Sequence, residues 1–278
     1  ILDSGMLEQL TEDVWYSPFP QYQTTERPDR AVQEILNGKV VILCDNSPEA
    51  LILPGTFNSF MESSEDWYHR FEMASFLIMA TILPGLYLAV IRFHTQILPS
   101  SLILSFAEAR EGVPFSSVVE LIFLELAFEL IREAGVRVPG SLGNAIGIVG
   151  GLIIGQAAVD ANLVSPIVVM IVALTALGSM TVPNEEFAAA FRLVKYGFLI
   201  LGGYLGIYGL VLGVYLLVSH LAGLMSFSVP YLVPFIKKEQ AGNGGEGILR
   251  IPLRRRSLRP LFAREEQKIR LKRRGSGS

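Results

Sequence analysis

The sequence is poor in charged residues, cysteine and histidine. Only 18% of its 278 residues are charged, while 51% are hydrophobic, and the mean hydropathy is +0.44. Soluble globular proteins carry about 25% charged residues. The single cysteine, Cys44, excludes an internal disulfide, and the three histidines lack helical ligand spacing, so neither a metal site nor a cofactor is expected. The composition favours a membrane protein.

The charges are sorted along the chain. Residues 1–70 carry a net charge of −8, residues 71–236 carry −4, and residues 237–278 carry +9. We predict three regions with these boundaries: the C-terminal part of a soluble α/β domain, a transmembrane helical domain, and a basic flexible tail. The overall charge of −3 gives no indication of a nucleic-acid partner. Because the first residues do not form a signal peptide, we interpret the chain as a fragment of a longer or processed protein.

The end of the acidic head has the pattern of a short helix followed by a hairpin. The segment TERPDRAVQEILNGK has apolar residues at helical spacing and then Gly38 as a stop. The segment from Val40 to Gly55 has two aliphatic runs around Asp45, Asn46, Ser47 and Pro48, which favour a turn. This pattern predicts the end of a small α/β domain.

The middle region contains several apolar stretches of membrane length. The first begins at Phe71 and ends at Arg92, and it would be about 33 Å long as a helix. Trp67 and Tyr68 before it are typical of an interfacial anchor. Three further stretches are Leu142–Leu163, Pro166–Val182 and Tyr196–Leu221. We therefore predict a mostly α membrane protein with four to five transmembrane helices.

Glycines recur at every fourth residue in the second of these stretches. Gly143, Gly147, Gly151 and Gly155 would leave one helix stripe without side chains, where another helix can approach closely. No strand precedes this segment and no lysine follows it, so a phosphate-binding loop is not indicated. We predict a helix-packing role for these four glycines.

The helix predicted from Phe115 to Gly135 is apolar but acidic. Ten of the residues 118–131 are valine, isoleucine, leucine or phenylalanine, and together they favour insertion by about 3 to 6 kcal/mol. Three ionised glutamates, Glu120, Glu125 and Glu129, would cost roughly 7.5 to 10.5 kcal/mol near the middle of a membrane. The carboxylates therefore need water or a protein partner.

Helical periodicity places most of these charges on one face. Glu125, Glu129, Glu133 and Arg132 share that face, and Glu120 lies opposite. Three interpretations remain open: an interfacial helix whose acids are offset by Arg132 or Arg137, a water-lined ion pathway through Glu125 and Glu129, and a salt-bridge network between subunits. If the helix does not cross the membrane, four spans place both chain ends on the same side.

The basic tail favours the cytoplasmic side by the positive-inside rule. The tail contains a cluster of three arginines, Arg254, Arg255 and Arg256. We expect them to contact anionic lipid headgroups, with a binding free energy of about 1 kcal/mol per residue. A solvated tail without a lipid contact is the alternative.

Seven segments of the sequence form a distinctive series, in the order YSPFPQ, TERPDR, DNSPEALILPGTF, ATILPGLYLAVIRFHTQILPSSLILSFAEAREGVPF, REAGVRVP, IIGQAAVDANLVSP and VPYLVPF. Together they resemble the GerA family of spore germination proteins, the A subunits of nutrient germinant receptors. The resemblance extends from about Ile1 to Phe235, and a sporulation-stage paralogue has similar motifs. It implies a spore-forming Firmicute, the inner spore membrane, and a complex with a transporter-like B subunit and a lipoprotein C subunit.

The resemblance also implies a function. A subunits are expected to assemble into a ring that conducts ions when nutrient binds a partner subunit. On this basis we expect a homo-oligomeric, nutrient-gated cation channel subunit rather than an enzyme, with cytoplasmic N- and C-terminal regions. The alternative is a non-conducting scaffold that organises the receptor complex.

Overall fold

A computed structural model of the chain describes residues 3–12, 14–61, 70–136, 142–233 and 235. The predicted anchor at Trp67 and Tyr68 and the basic tail, with Arg254, Arg255 and Arg256, lie outside these residues. The helices are α1 (Ser4–Thr11), α2 (Pro28–Leu36), α3 (Phe57–Phe60), α4 (Arg70–Phe93), α5 (Ser100–Ala109), α6 (Ser117–Val136), α7 (Leu142–Asp160), α8 (Pro166–Met180) and α9 (Glu185–Gly223). The strands are β1 (Gln23–Thr25), β2 (Val40–Leu43), β3 (Ala50–Leu53), β4 (Met225–Ser226) and β5 (Val229–Pro230).

The chain divides into two compact units. Unit one comprises residues 1–75, 182–190 and 216–278, and unit two comprises residues 76–181 and 191–215. Among the described residues, unit one holds all the strands, while unit two holds helices and the connections between them. The molecule is therefore mostly helical with small sheets.

Unit one contains the helix and hairpin predicted for the head. Helix α2 begins at Pro28, which suits the first helical turn, and Gly38 follows it with a φ of 92°. Strands β2 and β3 pair antiparallel, with Val41 opposite Ile52. Strand β1 pairs with the other edge of β3, which gives the order β1-β3-β2. The predicted helix and hairpin are confirmed.

The segment after α9 is joined to the N-terminal part of unit one by hydrogen bonds. The buried Ser226 hydroxyl donates to the carbonyl of Gln21 at 2.8 Å and accepts from the backbone N–H of Gly55 at 3.1 Å. The Tyr231 hydroxyl donates to the carbonyl of Pro20 at 3.1 Å. Residues on either side of the long apolar helices thus fold together in one unit.

The core of unit two is formed by four helices. Its fully or largely buried members are Tyr87 and Leu88 from α4, Leu121 and Leu124 from α6, Val168 and Val172 from α8, and Leu199 from α9. Helices α6 and α8 therefore contribute one apolar side each to a shared core. The remaining faces of these helices carry the polar residues described below.

Two of the described helices are long and apolar enough to cross a membrane. They are Ala74–Phe93, with 20 residues, and Glu185–Gly223, with 39 residues. The prediction of four to five transmembrane helices is not confirmed. Helix α8 has only 15 residues and is about 22 Å long. Helix α6 has 20 residues but carries too many charged side chains to be an apolar span.

Helix α9 reverses direction at Gly206. This residue has φ 62° and ψ −142° inside the helix, a conformation that favours glycine. A Cβ added at Gly209 would lie 2.1 Å from the carbonyl oxygen of Leu201, although eight residues of continuous helix span about 12 Å. The prediction of one continuous span at 196–221 was therefore wrong: α9 begins at Glu185 and forms two arms that fold back on each other.

Candidate functional site

A group of polar residues lies among the apolar helices of unit two, and we call it the polar seam. Its members are Glu125, Glu129 and Arg132 of α6, Thr175 and Ser179 of α8, and Arg192 and Lys195 of α9. They are joined by hydrogen bonds or ion pairs. The α6 members are three of the four residues that helical periodicity places on one face, the fourth being Glu133.

The innermost contact of the polar seam is the ion pair between Glu125 and Lys195. Their side chains are only 3% and 8% exposed. The Lys195 ammonium donates to Oε2 of Glu125, and the buried Thr175 hydroxyl donates to Oε1 at 3.1 Å. Both oxygens of this carboxylate therefore have a partner within unit two.

The second ion pair lies one helical turn away. Arg192 Nε is 2.9 Å from Glu129 Oε1, with side chains 21% and 36% exposed. Glu129 follows Glu125 by four residues, whereas Arg192 precedes Lys195 by three. This spacing lets α6 and the first arm of α9 form two rungs while running in opposite directions.

Arg132 extends the polar seam toward α8. Its guanidinium donates to the Ser179 hydroxyl at 2.8 Å and to the carbonyl of Ala176 at 3.4 Å. The sequence allowed Arg132 to offset Glu129, but the structure pairs Glu129 with Arg192 instead. The polar seam thus holds two carboxylates and three cationic side chains.

Glu120 lies on the opposite face of α6 and has separate partners. Its fully buried carboxylate accepts from Arg110 Nη2 at 2.8 Å and from the backbone N–H of Ser165 at 3.0 Å. Arg110 also donates to the Ser117 hydroxyl and to the carbonyl of Phe115. We call Arg110, Glu120 and Ser165 the clasp, because they join the turn before α6 to the start of α8.

The structure gives the predicted packing glycines different surroundings within the chain. A Cβ added at Gly151 would lie 2.7 Å from the ring of Phe128, and one at Gly155 would lie 3.1 Å from Val169. At Gly147 it would meet no atom within 4 Å. The surroundings of Gly143 lie outside what the structure describes. The packing role of the four glycines as a set stays a prediction.

The sequence analysis did not identify the cationic partners. Arg192 and Lys195 precede the span predicted from Tyr196, and neither they nor Arg110 were singled out by the sequence. One signal was available: Arg192 and Lys195 share a helical face three residues apart. Only long-range packing shows that this face meets α6.

Unit one contains an acidic cluster around α1. Burial, together with the charges of Glu186, Glu12 and Glu49, raises the pKa of Glu8 from 4.5 to about 7. Since the folded pKa exceeds the unfolded pKa, the Glu8 contribution to stability is fully present below about pH 4.5 and is lost as the pH rises through 7.

Glu8→Gln should therefore stabilise α1 at high pH. We expect a gain of about 1 kcal/mol at pH 8, because solvent reduces the full effect at this half-buried site, and no gain at pH 4. Hydrogen-exchange protection of the α1 amides at the two pH values checks this. Equal gains at both pH values would contradict the assigned titration.

Comparison with known proteins places the chain in a family. The sequence profile of the Bacillus/Clostridium GerA spore germination proteins matches residues 1–262. Spore germination protein KA of Bacillus subtilis (strain 168) is 41% identical over 97% of this chain and 51% of its own length. Spore germination protein A1 of the same organism is 40% identical over 91% of this chain and 54% of its own.

An uncharacterized membrane protein of Bacillus subtilis (strain 168), YfkQ, is 43% identical over 84% of this chain and 47% of its own length. The chain therefore spans about half the length of these curated relatives. No solved structure matches it significantly. Since the family profile covers nearly the whole sequence, this chain belongs to the GerA spore germination protein family.

Proposed function

We propose that this chain is a membrane subunit of a spore germinant receptor that assembles with copies of itself into a nutrient-gated cation channel. The observation that carries the proposal is the Glu125–Lys195 pair, which is kept buried among apolar helices. In this proposal Glu125 and Glu129 are the carboxylates of the ion pathway. Gly143, Gly147, Gly151 and Gly155 hold neighbouring helices close enough to form it.

The energetics of burial support a functional role for these charges. A buried ion pair is often no more stable than apolar side chains of similar volume, because both charges lose their hydration. Ionisable groups within membrane helices are rare and are associated with ion or proton pathways. The polar seam places two such pairs on successive turns of α6.

The hydrogen bonds of Ser226 support a topology with both flanks on one side. A membrane cannot lie between Ser226 and its partners, Gln21 and Gly55, so the chain between Gly55 and Ser226, including α9, would cross the membrane an even number of times. With the basic tail, this favours cytoplasmic N- and C-terminal regions in the inner spore membrane. We retain residues 1–70 as the head, residues 71–236 as the membrane domain and residues 237–278 as the tail. Of the four to five predicted crossings, an even number favours four.

The partners follow from family membership. We propose a homo-oligomer in complex with a transporter-like B subunit and a lipoprotein C subunit, in which nutrient binds a partner. Arg254, Arg255 and Arg256 would contact anionic lipid headgroups.

One observation favours the alternative, a non-conducting scaffold. Glu120, Glu125 and Glu129 each have a cationic partner within the chain, so these acids are satisfied without water or a permeating ion. Purified full-length protein in liposomes distinguishes the two proposals, because a scaffold passes no current.

The channel proposal is tested with Glu125→Gln and Glu129→Gln in the full-length protein. Nutrient-triggered K⁺ release from spores should slow at least tenfold, because neutral amides attract cations less strongly. Glu34→Gln is the matched control, since Glu34 forms an equally buried pair with Lys39 in unit one and should leave release unchanged. Unchanged release and ion selectivity in both seam variants would remove these residues from the pathway.

A further inference from the structure

We propose that Lys195 and Arg192 form a latch that closes the pathway by occupying the carboxylates of α6. In the closed state the two side chains neutralise Glu125 and Glu129, and in the open state a permeating monovalent cation takes their place. This inference rests on the proposed channel function and assigns its regulation to two residues of α9.

The geometry of the polar seam provides the first support. Both pairs link the same two helices, and the Glu125–Lys195 rung is almost fully buried while the Glu129–Arg192 rung is partly exposed. A separation of α9 from α6 would therefore break both rungs together. Because the Glu129–Arg192 rung is the more exposed one, water and cations would reach Glu129 before Glu125.

Charge provides the second support. With the latch closed, Glu125 and Glu129 are each paired with a cationic side chain, so a mobile cation meets two carboxylates whose charges are already neutralised. A tethered ammonium in contact with a carboxylate also has a high effective concentration. A mobile monovalent ion therefore cannot displace Lys195 until α9 moves.

The surroundings of the two carboxylates provide the third support. Thr175 on α8 donates to Oε1 of Glu125, the oxygen that Lys195 does not occupy. If α9 withdraws, this hydroxyl remains as a partner, and the freed Oε2 becomes available to a cation. Oxygen atoms from a carboxylate and a hydroxyl are suitable ligands for a weakly bound alkali ion.

The packing of α9 is compatible with such a movement. Gly202 of its first arm lies directly against the backbone of Gly85 of α4, so neither glycine contributes a side chain to that contact. The arm ends at Gly206, whose conformation requires glycine. Lys195 and Arg192 lie on the same arm, so both would move with it.

Lys195→Met tests the latch in the full-length protein. The variant keeps the length of the apolar stem but removes the ammonium, so spores and proteoliposomes should leak K⁺ without nutrient at least tenfold faster than the wild type. Arg192→Met should leak less, because its carboxylate is already partly screened by water. Lys39→Met removes the cation of an equally buried pair in unit one and should cause no leak.

Two double variants complete the test. Glu125→Gln with Lys195→Met removes both charges and should not leak, and the exchange Glu125→Lys with Lys195→Glu restores a pair and should also stay closed. If Lys195→Met does not accumulate in the membrane, a leak from the exchange variant overturns the latch.

The latch and the channel proposal can fail separately. If the wild type releases K⁺ on nutrient addition and the Lys195→Met variant does not leak K⁺ without nutrient, the latch proposal alone is overturned. Absence of conductance from the wild type and every variant overturns the channel function on which it rests.

Discussion

Gly202→Ala is expected to destabilise unit two by about 3 kcal/mol, the upper range for an overpacked site. A Cβ at this position would lie 2.4 Å from the carbonyl oxygen of Gly85 and 2.8 Å from its carbonyl carbon. Because these are backbone atoms, rotation of a side chain cannot relieve the overlap. Helices α4 and α9 would have to separate along their contact.

The unfolding of purified full-length protein in detergent measures this effect. Gly197→Ala is the matched control, because it lies in the same helix and a Cβ there meets no atom within 4 Å. That variant should be unchanged or slightly more stable, since alanine favours a helix over glycine by about 1 kcal/mol. If the two variants are equally stable, the close contact between α4 and α9 is not part of the folded protein.

This contact shows what glycine spacing can and cannot predict. The regular repeat in α7 indicates a face without side chains, yet α4 and α9 approach each other closely through Gly85 and Gly202. Those glycines lie in different helices, so no period in the sequence connects them. A repeat identifies a face of one helix, whereas a contact requires the partner to be known.

The acidic helix illustrates the same limit. Periodicity correctly grouped Glu125, Glu129 and Arg132, and the free-energy balance indicated that their charges need partners. The partners themselves come from α9, 70 residues from Glu125 along the chain in the case of Lys195. In contrast, the head hairpin was predictable because β2 and β3 are adjacent in sequence and joined by a turn of suitable residues.

The reversal of α9 could not be predicted from hydropathy. The residues on both sides of Gly206 are equally apolar, and glycine is frequent throughout this segment. No charged residue lies near this turn to mark it in the sequence, and the flanking Tyr204 and Tyr208 are residues that also occur within apolar spans. The conformation of one glycine therefore changes a single predicted span into two arms.

Glu120→Ala is expected to have the largest effect of any change in the clasp, about 3 to 5 kcal/mol. It leaves the Arg110 guanidinium without its carboxylate and the buried N–H of Ser165 without an acceptor. Asp29→Ala is the control for an ion pair in solvent, because Asp29 and Arg27 are 62% and 51% exposed. Its free energy of unfolding should stay close to that of the wild type, because ion pairs in solvent contribute little to stability.

A double variant separates the two contributions to this cost, the uncompensated charge of Arg110 and the unpaired N–H of Ser165. If the uncompensated Arg110 charge dominates, Glu120→Leu with Arg110→Met should recover most of the stability, because two apolar side chains can replace a buried pair at little cost. The unpaired N–H of Ser165 would remain, and it should account for a residual loss of about 1 to 3 kcal/mol. A double variant as unstable as Glu120→Ala would instead identify the bond to Ser165, at the start of α8, as the main contribution of Glu120.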